Sequence, residues 1–577
     1  MITSTNHEPE QTASSAPDEA APPLLSPKLG PQWALGPIHV LLVIFFGLLY
    51  LLLNYLPLRG TDLWGHALYG RWMLEHRALP AADPFLPLAS GMPVLDAAWL
   101  SQVLFALVDR SFGAEALSHL FALTVLATYL VLARVFYLQS RSALICLLGS
   151  LLVLSVGWSR LTTIRPENLG ALCFAVLLWL IVSAEGSASG PDGESAGRAG
   201  PGRPWRLWLG VPLVMVCWTN LHGSFVCGLA VLACWAVGSA LESAARTRSL
   251  SAVTGDRNVR GWLYALELGV LATLVNPYGI DLLLNTLWFS RNENLRDILE
   301  WQPMVILGVG GREFAVSLVL LMLVIRHSRV RFPLAHGLML GLFALSALFG
   351  IRMLTWYAAA FAFVIVPHLA GLLTRIRTSA ADPARAPSGE DQPPLLARTS
   401  LKISLICVLL AWIAFGLSPL STPLLGGARR TTTQLYGEST PVELTAYLRT
   451  SPPEGQIFNP QWWGDWLIWD GPPGLQAFVT SNVHLLPRQV WRDYMSIMQS
   501  EAGWMTILGR YRVNTVILDK NQHRSQSNIL RRSSDWRVVY QDKQAIVFRR
   551  VAGSGLGPGS DAGDGESPAE SSFRVET

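Results

Sequence analysis

The sequence predicts a mostly α-helical, polytopic membrane protein that carries a small extracytoplasmic α/β domain near its C-terminal end. Three observations carry that reading. Of 577 residues, 51% are hydrophobic and only 15% charged, where a soluble protein holds roughly 25% charge. The mean hydropathy is +0.35. Apolar runs of spanning length recur between residues 37 and 420, and from about 431 the pattern turns to short alternating strands and helices.

A spanning helix takes about 20 mostly apolar residues. Eleven runs qualify, beginning with roughly 37–57, 114–138, 141–158 and 167–184. They continue with roughly 206–220, 222–243, 261–280 and 312–326, and close with roughly 333–350, 353–375 and 401–420. The stretch 97–112 is a further candidate to dip into the bilayer. Many of the 22 Trp stand at the ends of these runs, where amphipathic rings favour the interface.

The positive-inside rule orients the set. With a cytoplasmic N-terminus, alternate connections carry Arg141; then Arg198, Arg203 and Arg206; then Arg246, Arg248, Arg257 and Arg260. Arg326, Arg329 and Arg331 follow, and lastly Arg375, Arg377, Arg385, Arg398 and Lys402. The first outer loop, 58–113, and everything after Leu420 then face away from the cytoplasm. Residues 1–36 read as a disordered cytoplasmic tail before a retained helix, 185–205 and 378–399 as flexible cytoplasmic linkers, and 551–577 as a second disordered tail. All six cysteines fall in apolar runs, so no disulfide framework is expected. No His/Cys spacing suggests zinc, and with a net charge of only +4 no nucleic-acid partner is expected.

The predicted domain at 431–550 starts with strand-like QIFN, with LQAFVTS as a second strand. One helix follows over 490–511, then a buried strand in VNTVILD. A helix-like ILRRSSDW precedes a closing pair of strands that turns at Asp542–Lys543. Alternating strands and helices imply a partly parallel sheet.

The chemistry concentrates in the loop Arg59–Gln102, which holds Asp62, Asp83, Asp96, His66 and His76. Other ionisable and aromatic groups fall on the same predicted face: Arg160, Arg165 and Glu167; Asn220 and His222; Arg296, Asp297, Glu300 and Trp301; and Arg352. Ionisable groups at a membrane edge are costly and mark functional candidates. Arginine binds phosphate bidentately and stays charged, and a carboxylate beside a hydroxyl serves as general base. This set suits group transfer from a lipid-phosphate donor. Asp62, Asp83 and His66 are the catalytic candidates, with Arg165, Arg352 and Arg296 on the donor phosphate and Trp64, His222, Glu300 and Trp301 lining the substrate.

Plainer roles stand beside these. Asp62 precedes an amphipathic helix it would cap, Asp83 sits in a turn, and Asp96 reads as an N-cap. His222 satisfies a tight turn, Arg352 anchors at the interface, and Arg165 pairs with Glu167.

The segment TDLWGHALYGRWMLEHRALPAADPFLP, followed by GMPVLDAAWLSQ, resembles the first outer loop of bacterial membrane proteins in the GT-C glycosyltransferase superfamily. RPEN, NLHGSF, NPYG, ILEWQP and WWGDWLIW are similar to the same group. The resemblance implies a GT-C fold, with an acidic residue in that loop essential for transfer from a polyprenyl-phosphate-linked sugar; Asp62 matches it first and Asp83 second. Such relatives often pair two tryptophans before the histidine, where this chain has Trp64-Gly65-His66. Asp62 has no adjacent acid, so a divalent metal is not supported and no cofactor is expected.

The sequence thus predicts an integral glycosyltransferase of the bacterial cytoplasmic membrane, part of the cell envelope. It would pass a sugar from a polyprenyl-phosphate-linked donor to a glycan, lipid or protein acceptor on the outer face. The alternative is a scaffold or transporter with an outer recognition domain. Transporters usually show inverted repeats and midplane ionisable groups; here the halves show no repeat and the polar groups gather at one edge.

Overall fold

A computed structural model describes residues 35–59, 62–186, 204–380 and 395–551. The tails expected at 1–36 and 551–577, and the linkers at 185–205 and 378–399, lie almost wholly outside the described residues.

Chain order begins with α1 (Pro37–Tyr55), then α2 (Leu63–His76) and α3 (Trp99–Phe112) in the first loop. Next come α4 (Glu115–Ser140), α5 (Ala143–Gly157), α6 (Glu167–Gly186), α7 (Pro204–Leu221) and α8 (Phe225–Thr247). After the short α9 (Leu250–Gly255) follow α10 (Arg257–Thr273), α11 (Ile280–Trp288), α12 (Gly311–Ser328) and α13 (Leu334–Phe349). The long α14 (Leu354–Ala380) and α15 (Leu395–Leu417) close the apolar part.

Every predicted apolar run forms a helix. Among the described residues, seven helical stretches are long and apolar enough to cross a membrane: α1, α4, α5 through Arg160, α6, α8, α14 and α15. The chain is a multi-pass membrane protein. The other runs fall short for visible reasons. α13 has only 16 residues, while α10 carries Arg257, Arg260 and Glu267 and α12 carries Arg312, Glu313 and Arg326. α14 is the central helix, buried along its whole stretch Ala358–Val366.

α4, α8 and α12 each finish on an arginine in the left-handed region: Arg141 (φ 52°), Arg248 (φ 53°) and Arg329 (φ 57°). A non-glycine residue accepts that conformation reluctantly, and a cation there is favoured by the negative end of the helix dipole. All three lie on connections where the charge bias expects cytoplasm, but α2 ends the same way at Arg77 (φ 52°) in the first outer loop, so the feature does not separate the two sides.

α2 and α3 pack almost backbone to backbone. A side chain at Gly70 would place its Cβ 1.9 Å from the Gln102 carbonyl oxygen, so only glycine fits. The pair forms a firm platform for the loop's polar residues.

Beyond α15 lie α16 (Thr422–Leu425), α17 (Thr432–Tyr436) and α18 (Val442–Thr450), then β1 (Ile457–Phe458) and α19 (Gln461–Asp470). α20 (Arg488–Met498), α21 (Trp504–Arg510), β2 (Thr515–Asp519), α22 (Arg524–Arg532), β3 (Trp536–Gln541) and β4 (Ala545–Arg550) complete the chain. The sheet order is β1-β2-β4-β3. β1 runs parallel to β2, and β4 is antiparallel to both β2 and β3. β2 and β4 supply the buried aliphatic core.

Two expectations fail here. LQAFVTS is not a strand; it makes only an isolated bridge through Gln476. The Asn459 side chain takes the place of a ladder, accepting from Phe478 N at 2.9 Å and donating to Val479 O at 2.9 Å. The single helix expected over 490–511 is two, because Ser500 (φ 56°) and Gly503 (φ 83°) turn the chain between α20 and α21.

Candidate active site

The first loop, the turn before α6 and the segment after α11 converge on one ionic cluster. Asp62 occupies the N-cap position of α2 yet makes no capping hydrogen bond with its side chain. Its carboxylate turns instead to Arg165, whose Nε lies 2.9 Å from Oδ2 and 3.1 Å from Oδ1. Arg165 Nη1 donates to both oxygens of Glu300, at 2.6 and 2.7 Å. Arg160 bridges onward, to Glu300 at 3.2 Å and Glu167 at 3.3 Å. Arg352 stacks over Trp301 at 4.1 Å and feels the charges of Glu167 and Glu300.

The cluster is partly buried, with the Arg165 and Asp62 side chains 18% and 21% exposed, so each charge needs a partner. Burial alone would raise the Glu300 carboxyl, but Arg165 and Arg160 hold it down at about 2. Against the same cost of burial, Asp62 and Glu300 keep Arg165 charged, above its ordinary value. Three acids face three arginines, so the cluster carries no net charge.

A cavity of about 70 Å³ runs from these arginines between α4, α5, α6 and α14. Arg160, Arg165, Thr163 and Asn168 stand at its polar end, and Val125, Leu132, Phe174, Trp356 and Ala359 give it apolar walls. Two buried polar atoms there have no partner, Arg160 Nε and Thr355 Oγ1. A buried donor left unmade is costly, so a ligand oxygen suits this position.

His66 lies on the loop side of Asp62. Gln102 Nε2 approaches its Nδ1 at 3.1 Å and also bonds Asp96. Burial holds His66 below its usual value, with Asp62 and Asp96 pulling the other way. A neutral imidazole can accept a proton. Asp96 accepts from Ala98 N at 2.7 Å at the entry to α3, whose cap residue is Ala98.

Several expected site residues are placed elsewhere. Asp83 is satisfied within its own turn, accepting from Phe85 N, Leu86 N and the Tyr69 hydroxyl at 2.8, 3.1 and 2.5 Å. Trp64 is buried; its ring lies 5.0 Å from Trp466 and 5.6 Å from Trp469 and Tyr436. His222, by contrast, stays beside the cluster, in the field of Glu167 and Arg352, while its Nδ1 lies 2.7 Å from Ser224 Oγ in the turn before α8. Arg296 is exposed and makes no ion pair with the cluster's acids among the described residues. Arg165 pairs with Asp62 and Glu300, and Glu167 is matched by Arg160 instead. Glu300 is a counter-ion to two arginines more than a lining residue.

One carboxylate was missed. Asp465 of α19 is 2% exposed and reaches the first loop from the C-terminal segment. It accepts from Ser481 N at 2.9 Å and Ser481 Oγ at 3.2 Å. Burial raises its carboxyl to about 8, and the Asp62 and Asp83 charges add to the shift. Gly65 makes room for it: a Cβ there would sit 2.2 Å from Asp465 Oδ1. The signal in the sequence was a lone acid inside the aromatic run WWGDWLIW. Among the described residues, no group of three or more His, Cys, Asp or Glu is arranged to hold a metal.

The segment after α11 also ties the cluster to the C-terminal segment. Asn294 Nδ2 donates to the Val483 and Leu486 carbonyls, each at 2.8 Å. Trp491 Nε1 donates to Asp297 Oδ2 at 2.8 Å, and Arg488 pairs with the same oxygen at 3.2 Å.

No protein-family model matches the sequence, and no curated protein matches it. Solved structures do. The oligosaccharyltransferase of Archaeoglobus fulgidus, tethered to an acceptor peptide with the NVT sequon, is 12% identical with a TM-score of 0.53, over 85% of this chain and 70% of that one. ArnT from Cupriavidus metallidurans, bound to undecaprenyl phosphate, is 14% identical with a TM-score of 0.50, over 89% of this chain and 98% of that one. Both neighbours are GT-C glycosyltransferases. The chain therefore has the GT-C glycosyltransferase fold, in a multi-pass membrane protein.

Proposed function

We propose that the protein is a glycosyltransferase that takes its sugar from a polyprenyl-phosphate-linked donor. The observation that carries this is the arginine pair, Arg160 and Arg165, at the polar end of an apolar-walled cavity among membrane helices. The apolar walls match hydrocarbon next to a lipid phosphate, and the unpartnered Arg160 Nε and Thr355 Oγ1 suit phosphate oxygens. Arg165 is already paired with two carboxylates, so a donor phosphate competes with Asp62 and Glu300 for it. Its arrival releases Asp62 as a base.

In this mechanism the acceptor hydroxyl attacks the anomeric carbon of the sugar as the bond from that carbon to the phosphate oxygen breaks. Asp62 takes the hydroxyl proton, His66 stands next in line for it, and Arg160 and Arg165 hold the departing polyprenyl phosphate. Positioned general-base catalysis is worth about 10²–10⁴-fold. The acceptor is a glycan, lipid or protein on the outer side of the cytoplasmic membrane. In this reading eleven spans cross the bilayer, the N-terminus is cytoplasmic, and the domain at 431–550 lies outside over the first loop. The arginines gathered on alternate connections support that orientation.

Asp62→Asn tests the assignment. Surface glycosylation should drop by about 10²–10⁴-fold, while the purified variant retains polyprenyl phosphate. Unchanged glycosylation at normal expression would remove Asp62 from the reaction.

A further inference from the structure

A second cavity, of about 690 Å³, opens at the far end of α1. Tyr55, Arg59, Arg429, Arg430, Gln434 and Glu438 line it. Arg430 is structural: its side chain is buried, paired with Glu115 at 2.7 Å and donating to Asn54 O and Ser118 Oγ at 3.0 Å each. Arg59 and Arg429 are exposed, and neither shares an ion pair among the described residues. With Arg430 neutralised by Glu115, one acid, Glu438, faces two arginines. The cavity is cationic.

Its surroundings are apolar. α1 and α15, two of the membrane-crossing helices, end together beside it, joined by Tyr55 OH donating to Leu417 O at 2.6 Å. Leu417, Leu424 and Leu425 are exposed around this junction. A cationic recess ringed by exposed leucines at the ends of membrane helices matches the boundary between lipid headgroup and acyl chain, where basic side chains attract anionic lipid.

We propose that this cavity binds the phosphate-bearing headgroup of an anionic membrane lipid, with Arg59 and Arg429 on the phosphate. It is separate from the cavity headed by Arg160 and Arg165, with no lining residue in common. Arg59 stands three positions before Asp62 in the chain, so an occupied cavity would anchor the entry to the first loop.

The test uses the full chain in nanodiscs of phosphatidylglycerol mixed with phosphatidylcholine, counting lipid carried into mild detergent by native mass spectrometry. The wild type should retain phosphatidylglycerol in preference to phosphatidylcholine. Arg59→Gln with Arg429→Gln should cut that retention about tenfold or more, since each basic residue near an anionic surface contributes on the order of a factor of five. Polyprenyl-phosphate retention should stay unchanged, which separates this site from the donor site. Arg537→Gln, an exposed arginine on β3, should change neither. Equal phosphatidylglycerol retention by the double variant would overturn the proposal. So would full displacement of the lipid by millimolar inorganic phosphate, which would mark a soluble phosphate as the ligand.

Discussion

Asp62 and Asp465 approach the start of α2 from opposite ends of the chain, and their surroundings differ. Asp62 sits against the guanidinium of Arg165, which also grips Glu300. Asp465 has only the amide and hydroxyl of Ser481 and is held neutral, its carboxyl raised to about 8 by burial. One acid is ion-paired with a cation; the other has none, and burial raises its carboxyl. An active site gains two tools from this difference: an ionised group released when its arginine is recruited elsewhere, and a neutral carboxyl that fills space without adding charge.

The comparison breaks most severely at Arg165. Arg165→Ala leaves Asp62 without its cation and Glu300 with Arg160 alone, and removing one partner of a fully buried pair costs about 3–5 kcal/mol, an upper bound for this partly buried one. Thermal unfolding in detergent should show that loss, with polyprenyl-phosphate retention falling alongside; a variant within about 1 kcal/mol of wild type would mean the cluster is not desolvated as described.

The Asp465 side yields a smaller effect with a distinct pH signature. Because the folded-state value is raised from an ordinary value of about 3.9 to about 8, the folded protein binds this proton more tightly than the unfolded chain. The stability it contributes is complete below about pH 4 and is lost as pH rises towards 8, by at most about 1.4 kcal/mol per unit. Asp465→Asn should flatten that decline, and a pH–stability curve parallel to wild type would show that Asp465 is already ionised at neutral pH. On the same contact, Gly65→Ala should cost about 1–3 kcal/mol by overpacking, and less in an Asp465→Ala background.

Asp83 sharpens the comparison by doing little. Asp83→Asn keeps an acceptor for the Phe85 and Leu86 amides and a polar partner for Tyr69, so stability should change by under about 1 kcal/mol. Glycosylation should stay within a few-fold. Complete loss of transfer would restore Asp83 to the catalytic set.

The helical fold was legible because apolar length is a one-dimensional signal. Each predicted run became a helix, though length and charge exclude α10 and α13 from the firmest spans. Convergence was legible too, since Asp62, Arg165 and Glu300 fall on one predicted face and meet. Which acid meets which arginine was not: Glu167 lies two residues from Arg165 yet pairs with Arg160, because helix geometry and not sequence distance sets reach. Trp64 shows another limit. An aromatic ring at a helix start looks the same in sequence whether it faces a sugar or, as here, three rings of a segment some 400 positions on. Asp465 was missed for that reason, since its neighbourhood is assembled from distant segments.

The connection after α11 has a mechanical consequence. Its Asp297 is held by Trp491 and Arg488 of the C-terminal segment, and its Glu300 holds Arg165 and Arg160. Three residues span at most about 10 Å when fully extended, so the two anchor points stay close together. One short connection thus contacts both the C-terminal segment and the arginines at the mouth of the cavity. The two halves of the chain are yoked by a link shorter than one turn of a helix is wide.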